Sequence, residues 1–210
     1  MQAELAVRAA EAGRALLLEK PLALTVEAAE RVVEAVRAPT AVFFTSRFDP
    51  RIADWFRTEV DGRSWDGASV LRLASIFEPG NPFGASPWRR ERGALWDVGP
   101  HALSALLPAL GPVEQVAAVR GPRDEVHVAL RHATGAASSM SLSLTAPAGV
   151  SEAVFWGESG LVRMPDGVDF AGAYAAVIDA LLAGGTPFDA GFGLEVVRVL
   201  VAVERALGEP

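Results

Sequence analysis

A short apolar run that stops at an acid, a lysine and a proline constrains this chain most: Ala15-Leu16-Leu17-Leu18-Glu19-Lys20-Pro21-Leu22. Consecutive apolar residues bounded by a turn signal suit a strand buried on both faces, as in a parallel sheet. Residues 2–12, closed by Gly13, and residues 26–37 carry helical patterning on either side of it. That flanking pattern is a βα unit, and open parallel sheets place ligands just beyond the carboxyl ends of their strands. Lys20 stands at that position. A charged residue ending a strand at the surface has the same spacing, so position alone leaves both readings open.

The rest of the opening segment agrees with this unit. Glu4 and Arg8 form an i,i+4 pair, and Gly13 suits the residue after a helix end. Thr25 is an N-cap residue, Glu27 lies in the first turn, and Ala29, Val32, Val33 and Val36 make an apolar stripe that Pro39 ends. Residues 41–45, Ala-Val-Phe-Phe-Thr, read as a second buried strand. Strand, helix, strand at this spacing implies parallel strands with a right-handed crossover. Asp49 then caps a third helix, with Pro50 at its first position and Ile52, Trp55 and Phe56 facing inward.

From about residue 68 the pattern changes. Residues 68–78 alternate as a strand, 79–92 read as a loop rich in Pro, Gly and Arg, and 98–110 as a helix closed by Gly111-Pro112. Runs of period two follow at 113–119, 125–131, 137–144 and 152–156, with a short one at 161–164. Turn signals separate them at hairpin distances, which implies an antiparallel sheet. In Ser139-Met140-Ser141-Leu142-Ser143-Leu144 the alternation is strict, so one face is buried and the other small and polar. Two helices close the chain at 174–182 and 194–207, the second turning Val196, Val197, Leu200 and Val201 inward. The expected fold class is α/β plus α+β: a piece of parallel layer, then a predominantly antiparallel sheet domain with flanking helices.

Composition narrows the function. A net charge of -7 over 210 residues argues against nucleic acid or an anionic membrane as partner. Without cysteine, neither a disulfide framework nor a thiolate metal site or nucleophile can form. Glu4, Arg8, Glu11 and Arg14 break up the first residues, so no signal peptide is expected, and no apolar run approaches the ~18 residues of a membrane span. A cytoplasmic protein is expected. His127 and His132 lie in or beside a strand with no second ligand at metal spacing, so no metal site is expected.

The second informative stretch is Gly93-Ala94-Leu95-Trp96-Asp97-Val98-Gly99-Pro100-His101. If a helix begins near Asp97, that acid and His101 share one face at its N-terminus. A carboxylate near an imidazole fixes its tautomer and suits it to proton transfer. Asp97 as a cap and His101 as a helix residue with structural hydrogen bonds fit the same spacing. Trp88, Arg89, Arg90 and Arg92 precede this stretch, either gripping an anionic group or lying in a solvated loop.

Glu19-Lys20-Pro21-Leu22 after a strand and Asp97-x-Gly99-x-His101 about 75 residues later together resemble the Gfo/Idh/MocA family of nicotinamide-dependent sugar and polyol oxidoreductases. Ser46-Arg47-Phe48-Asp49-Pro50 resembles the Arg-Phe/Tyr segment after the last strand of that family's nucleotide domain, and residues 174–206 its closing helices. The resemblance implies that residues 1–48 are the C-terminal portion of a Rossmann-like domain. Residues 49–210 are then an α+β substrate and oligomerisation domain, with the last helices packing back on the first part. It implies catalytic roles for Lys20, His101 and Asp97: Lys20 beside nicotinamide and substrate, His101 as acid/base, and Asp97 holding the substrate or the histidine. Glu19, Lys20 and Pro21 would line NAD or NADP, and Arg47, Trp88 and Arg89 a sugar or polyol substrate. A homo-oligomer through the exposed sheet face is also implied.

The departures matter equally. The family pattern spaces the acid and the histidine one residue further apart, and Arg92 stands where it tends to have another glycine. A dinucleotide fingerprint needs G-x-G-x-x-G between a strand and a helix. Only Gly13 precedes Glu19, and Gly191-Phe192-Gly193 lacks the third glycine and lies far along the chain, where it marks the turn into the last helix. The expectation is a chain that begins late within the Rossmann domain and has lost the pyrophosphate and adenosine half of its cofactor site. Two functions stay open: an NAD(P)-dependent oxidoreductase transferring hydride to or from a hydroxy or keto compound, or a non-catalytic substrate-binding or assembly module.

Overall fold

The computed structural model describes residues 2–208. The chain divides into two compact units, Met1–Ala53 with Val168–Val201, and Asp54–Gly167 with Ala202–Pro210.

The first unit opens with α1 (Gln2–Glu11), β1 (Leu16–Leu18), α2 (Val26–Ala35), β2 (Thr40–Val42) and the single turn α3 (Thr45–Phe48). Thr25 caps α2, its Oγ1 accepting from the Ala28 N–H at 3.1 Å. The stripe Ala29, Val32 and Ala35 is buried, and α2 packs against α1, which buries Ala6 and Ala10. β1 and β2 run parallel, with Leu16 opposite Thr40 and Leu18 opposite Val42. On its far edge β2 receives the segment after α6 (Phe170–Leu182): the Val42 N–H donates to Phe188 O at 2.8 Å, and Thr40 Oγ1 accepts from the Ala190 N–H at 3.0 Å. That edge is thereby covered rather than left open for association. α7 (Ala190–Ala206) then crosses β2 closely. A Cβ on Gly193 would stand 2.9 Å from a Val42 methyl, so only glycine permits this approach.

Three details of this unit differ from expectation. Leu17 is 41% exposed, so β1 is buried on one face and not on both. The second strand stops at Val42, because the Phe44 N–H turns back to Val42 O at 2.8 Å and Thr45 begins α3. Gly191 and Gly193 lie inside the first turns of α7, and for Gly193 close packing is the reason.

The second unit is built on a six-stranded sheet. α4 (Pro50–Trp55) continues as a π-helical turn at Phe56–Val60 and leads to β3 (Gly67–Ser75). After the helix α5 (Pro87–Leu110) come β4 (Val113–Arg120), β5 (Val126–His132), β6 (Ala137–Ser143), β7 (Thr145–Gly157) and β8 (Gly160–Arg163). The order is β4-β5-β6-β3-β7-β8. All neighbours are antiparallel except β3 and β6, a mixed arrangement that hairpin reasoning could not anticipate because the pairing spans the whole of α5. Alternation places Val70, Met140, Leu142, Val126 and Val128 on the buried face, where α5 packs. The opposite face carries Ser69, Ser139 and His127, together with Trp156 lying over Gly67.

His132 is fully buried at the end of β5. It bridges Gly111 O through Nδ1 and Ser138 Oγ through Nε2, both at 2.8 Å, so it serves as a structural residue.

α5 is longer than expected. The region read as a loop enters helix at Pro87, a favoured first position, and bends at Gly93 (φ 64°, ψ -165°) before continuing to Leu110. Its first arm, Trp-Arg-Arg-Glu-Arg, carries no apolar stripe, which is why periodicity did not find it.

Candidate functional site

In the first unit, the site is the turn that ends β1. The ladder stops at Leu18, and Pro21, which has no N–H to offer a neighbouring strand, follows Lys20 through a cis peptide bond. Pro21, Leu22 and Ala23 are buried, Lys20 is half-buried and Glu19 is exposed. A side chain from α1 fixes this turn. The Gln2 amide donates through Nε2 to Glu19 O (2.7 Å), Pro21 O (3.1 Å) and Leu22 O (3.3 Å), while its Oε1 accepts from the Glu19 N–H at 3.1 Å. Both carbonyls flanking Lys20 are thus held by one residue. Sequence reasoning missed Gln2, since a contact across 17 residues leaves no periodic trace.

Arg47 lies in α3, buried, with its guanidinium 4.8 Å from the centroid of the Phe188 ring. Phe44, Phe48, Phe188 and Phe192 form an aromatic cluster beside it. Asp49 is fully buried. Its Oδ1 accepts from the Arg51 and Ile52 N–H groups at 2.9 and 3.1 Å, and Oδ2 from the Asp169 N–H at 2.6 Å. Burial alone would raise the Asp49 pKa, but the backbone bonds from Asp169, Ile52 and Arg51 outweigh it and hold the carboxyl below its ordinary range.

In the second unit, the kink at Gly93 folds the first arm of α5 so that Arg89 reaches Asp97. Arg89 Nε donates to Asp97 Oδ2 at 2.8 Å, with the Asp97 side chain only 5% exposed. Arg89 also lies over Phe83 (5.1 Å), while Arg90 donates to Gly84 O at 2.9 Å and covers Phe77 (4.6 Å). His101 is half-buried one turn beyond Asp97, on the same helix face. Its carbonyl accepts from Ser104 Oγ at 2.9 Å. Trp88 is half-buried on the first arm.

The expected residues therefore fall into two local groups. Glu19, Lys20, Pro21 and Arg47 belong to the first unit, and Trp88, Arg89, Asp97 and His101 to the second. Arg89 and Asp97 are in direct contact, an ion pair that sequence reading did not pair. Among the described residues no cluster of three or more acidic, histidine or cysteine side chains could hold a metal ion, and no helix is long and apolar enough to cross a membrane.

A small parallel layer with flanking helices, in one chain with a helix-backed mixed sheet, defines a protein built of a Rossmann-type layer and a sheet domain. Residues 1–46 match an oxidoreductase family with an NAD-binding Rossmann fold, and residues 69–163 match the GFO/IDH/MocA C-terminal domain. The chain belongs to the Gfo/Idh/MocA oxidoreductase family. A solved structure of levoglucosan dehydrogenase with NADH and levoglucosan is similar at TM-score 0.81 and 19% identity, over 99% of this chain and 75% of that one. The WlbA dehydrogenase from Bordetella pertussis, in complex with NADH and UDP-GlcNAcA, is similar at TM-score 0.75 and 25% identity, over 98% and 73%. UDP-N-acetylglucosamine 3-dehydrogenase GnnA from Acidithiobacillus ferrooxidans gives 0.77 and 17%, over 98% and 75%. No curated protein sequence matches the chain.

Proposed function

We propose that this chain is an NAD(P)-dependent oxidoreductase acting on a sugar, polyol or related hydroxy or keto compound. The observation that carries the reading is the pair of family segments, residues 1–46 and 69–163, each containing residues of the proposed site: Lys20 after β1, and Asp97 and His101 on α5. That the similar structures include dehydrogenases holding NADH with a sugar or sugar nucleotide supports it.

Glu19, Lys20 and Pro21, at the carboxyl end of a parallel strand, fit the nicotinamide end of the cofactor. Among the described residues no glycine-rich strand-to-helix turn is present to cradle a pyrophosphate, so this chain offers that half no comparable anchor. The nicotinamide, when bound, supplies the hydride chemistry. The protein supplies position and a proton path. Lys20 donates a hydrogen bond to the substrate oxygen and favours negative charge developing there. His101 takes the hydroxyl proton as the carbon is oxidised, and returns it in the reverse direction. Asp97, itself held by Arg89, orients substrate or histidine. Arg47 packs against Phe188 and therefore acts on the site by supporting its unit.

The absence of a phosphate-cradling turn among the described residues favours one other reading, a binding module that has kept the substrate pocket alone. Turnover of a panel of sugars and polyols at millimolar NAD and NADP separates the two. Cofactor-dependent oxidation supports the enzyme, and sugar binding without turnover supports the module. Self-association through the sheet face bearing Val119, Trp156 and Leu161, all exposed, belongs to the same proposal. Light scattering should give a mass above one chain, and Trp156→Asp should return it to one.

A further inference from the structure

Arg72 lies within the sheet of the second unit, on β3 between β6 and β7. Its cross-strand neighbours are Leu142 and Ser151, and Leu142 in turn pairs with Val126. Paired residues point to the same side of a sheet, so the guanidinium stem shares its face with two buried apolar side chains and one hydroxyl. Arg72 is 7% exposed.

Nε and Nη2 of Arg72 are buried and meet no acceptor among the described residues, and neither does Ser151 Oγ. Those two nitrogens form one edge of the planar guanidinium. Their N–H bonds run parallel, the fork that meets two oxygen atoms of a carboxylate or phosphate side by side. Burial pushes Arg72 down to about 10, the effect of desolvation with no acid to offset it. The carboxylates of this unit that lie in buried surroundings are engaged elsewhere. Asp97 is held by Arg89, and Asp124 accepts from Ser143, Thr145 and the Leu144 N–H. A buried charge without a partner costs stability, and an apolar side chain of similar length would fill the same space without that cost. The fork and the hydroxyl opposite it on β7 have no bonding partner within the described residues, which leaves both for a ligand.

We propose that the Nε/Nη2 edge of Arg72, with Ser151 Oγ beside it, binds an anionic group that presents two oxygen atoms, a carboxylate or a phosphate, on the protein's carbohydrate ligand. The carbohydrate part rests on the function proposed above. The anion edge rests on the sheet geometry of one unit.

The test is direct binding to the full chain, by ligand-observed NMR or calorimetry, of D-glucuronate, D-glucose 6-phosphate and D-glucose. At least one of the two anions should bind about tenfold or more tightly than glucose, as a charge-assisted bond pair requires, and which of them does so assigns carboxylate or phosphate. Arg72→Met should bring all three within about twofold, and Arg72→Lys, which keeps the charge but not the fork, should recover only part of the preference. Without ligand, Arg72→Met should melt at or above the wild-type temperature, because it removes an unpartnered buried charge. Equal binding of all three sugars, no binding of either anion, a preference untouched by Arg72→Met, or a lower melting temperature of that variant would each overturn the proposal. None of these readings needs nicotinamide or turnover, so their failure leaves the oxidoreductase reading standing, and the reverse holds.

Discussion

Arg89 Nε donates to Asp97 Oδ2 at 2.8 Å across the bend at Gly93, joining the two arms of α5. The Asp97 side chain is 5% exposed and that of Arg89 24%, so the pair is screened less than a surface bridge. A double-mutant cycle with Arg89→Ala and Asp97→Asn, read by thermal or urea unfolding, should give a coupling energy of about 1–2 kcal/mol. Additive effects would mean that the contact does not set the position of Asp97.

Gln2 holds the backbone on both sides of Lys20. In Gln2→Ala the Glu19 amide loses its acceptor, and its hydrogen exchange should accelerate about tenfold, the loss of one modest hydrogen bond. Unchanged exchange at Glu19 would show the turn to be held by its proline and its packing instead.

Asp49 ties the start of α4 to the residue that caps α6. Asp49→Ala leaves three backbone N–H donors without their acceptor at once and should cost about 2–3 kcal/mol, a melting shift of roughly 4–12 °C for a chain of this size. Because its folded pKa lies below the unfolded one, its contribution is present above the unfolded value and fades as pH falls through the folded value. Acid unfolding should therefore flatten at its low-pH end in Asp49→Asn.

His132 has the opposite dependence from a surface-paired histidine. Desolvation lowers its pKa below 6.5, only partly offset by its bond to the Gly111 carbonyl. The unfolded chain accordingly takes up a proton near that value which the folded chain refuses, and stability falls as pH drops below about 6.5, by up to about 1.4 kcal/mol per unit. His132→Gln should be less stable at neutral pH and should lose this slope between pH 6.5 and 5, in melting temperatures taken across that range.

Local signals carried much of the architecture. Thr25 and Asp49 cap the helices that their residue types predicted, and the serine and leucine alternation around residue 140 faces as its period demands. What depends on long-range pairing was not legible. The parallel partnership of β3 with β6 is invisible to a reading of adjacent hairpins. The first arm of α5 has no apolar period, so its arginines resembled a loop. Lys20, Asp97 and His101 could be proposed because each lies within a short motif, Lys20 just after the end of β1 and the other two four residues apart on α5. Gln2 and Arg72 could not, because their significance lies in what they do or do not hydrogen-bond across the fold.

The proposed roles of Lys20 and His101 in hydride transfer are tested by the rate of nicotinamide reduction by wild type, Lys20→Ala and His101→Ala. At millimolar cofactor with the best sugar or polyol of a panel, the wild type should turn over and each variant should lose roughly 10²–10⁴-fold, with the folded state retained. No turnover by the wild type with any compound, or wild-type rates in both variants, would contradict those roles.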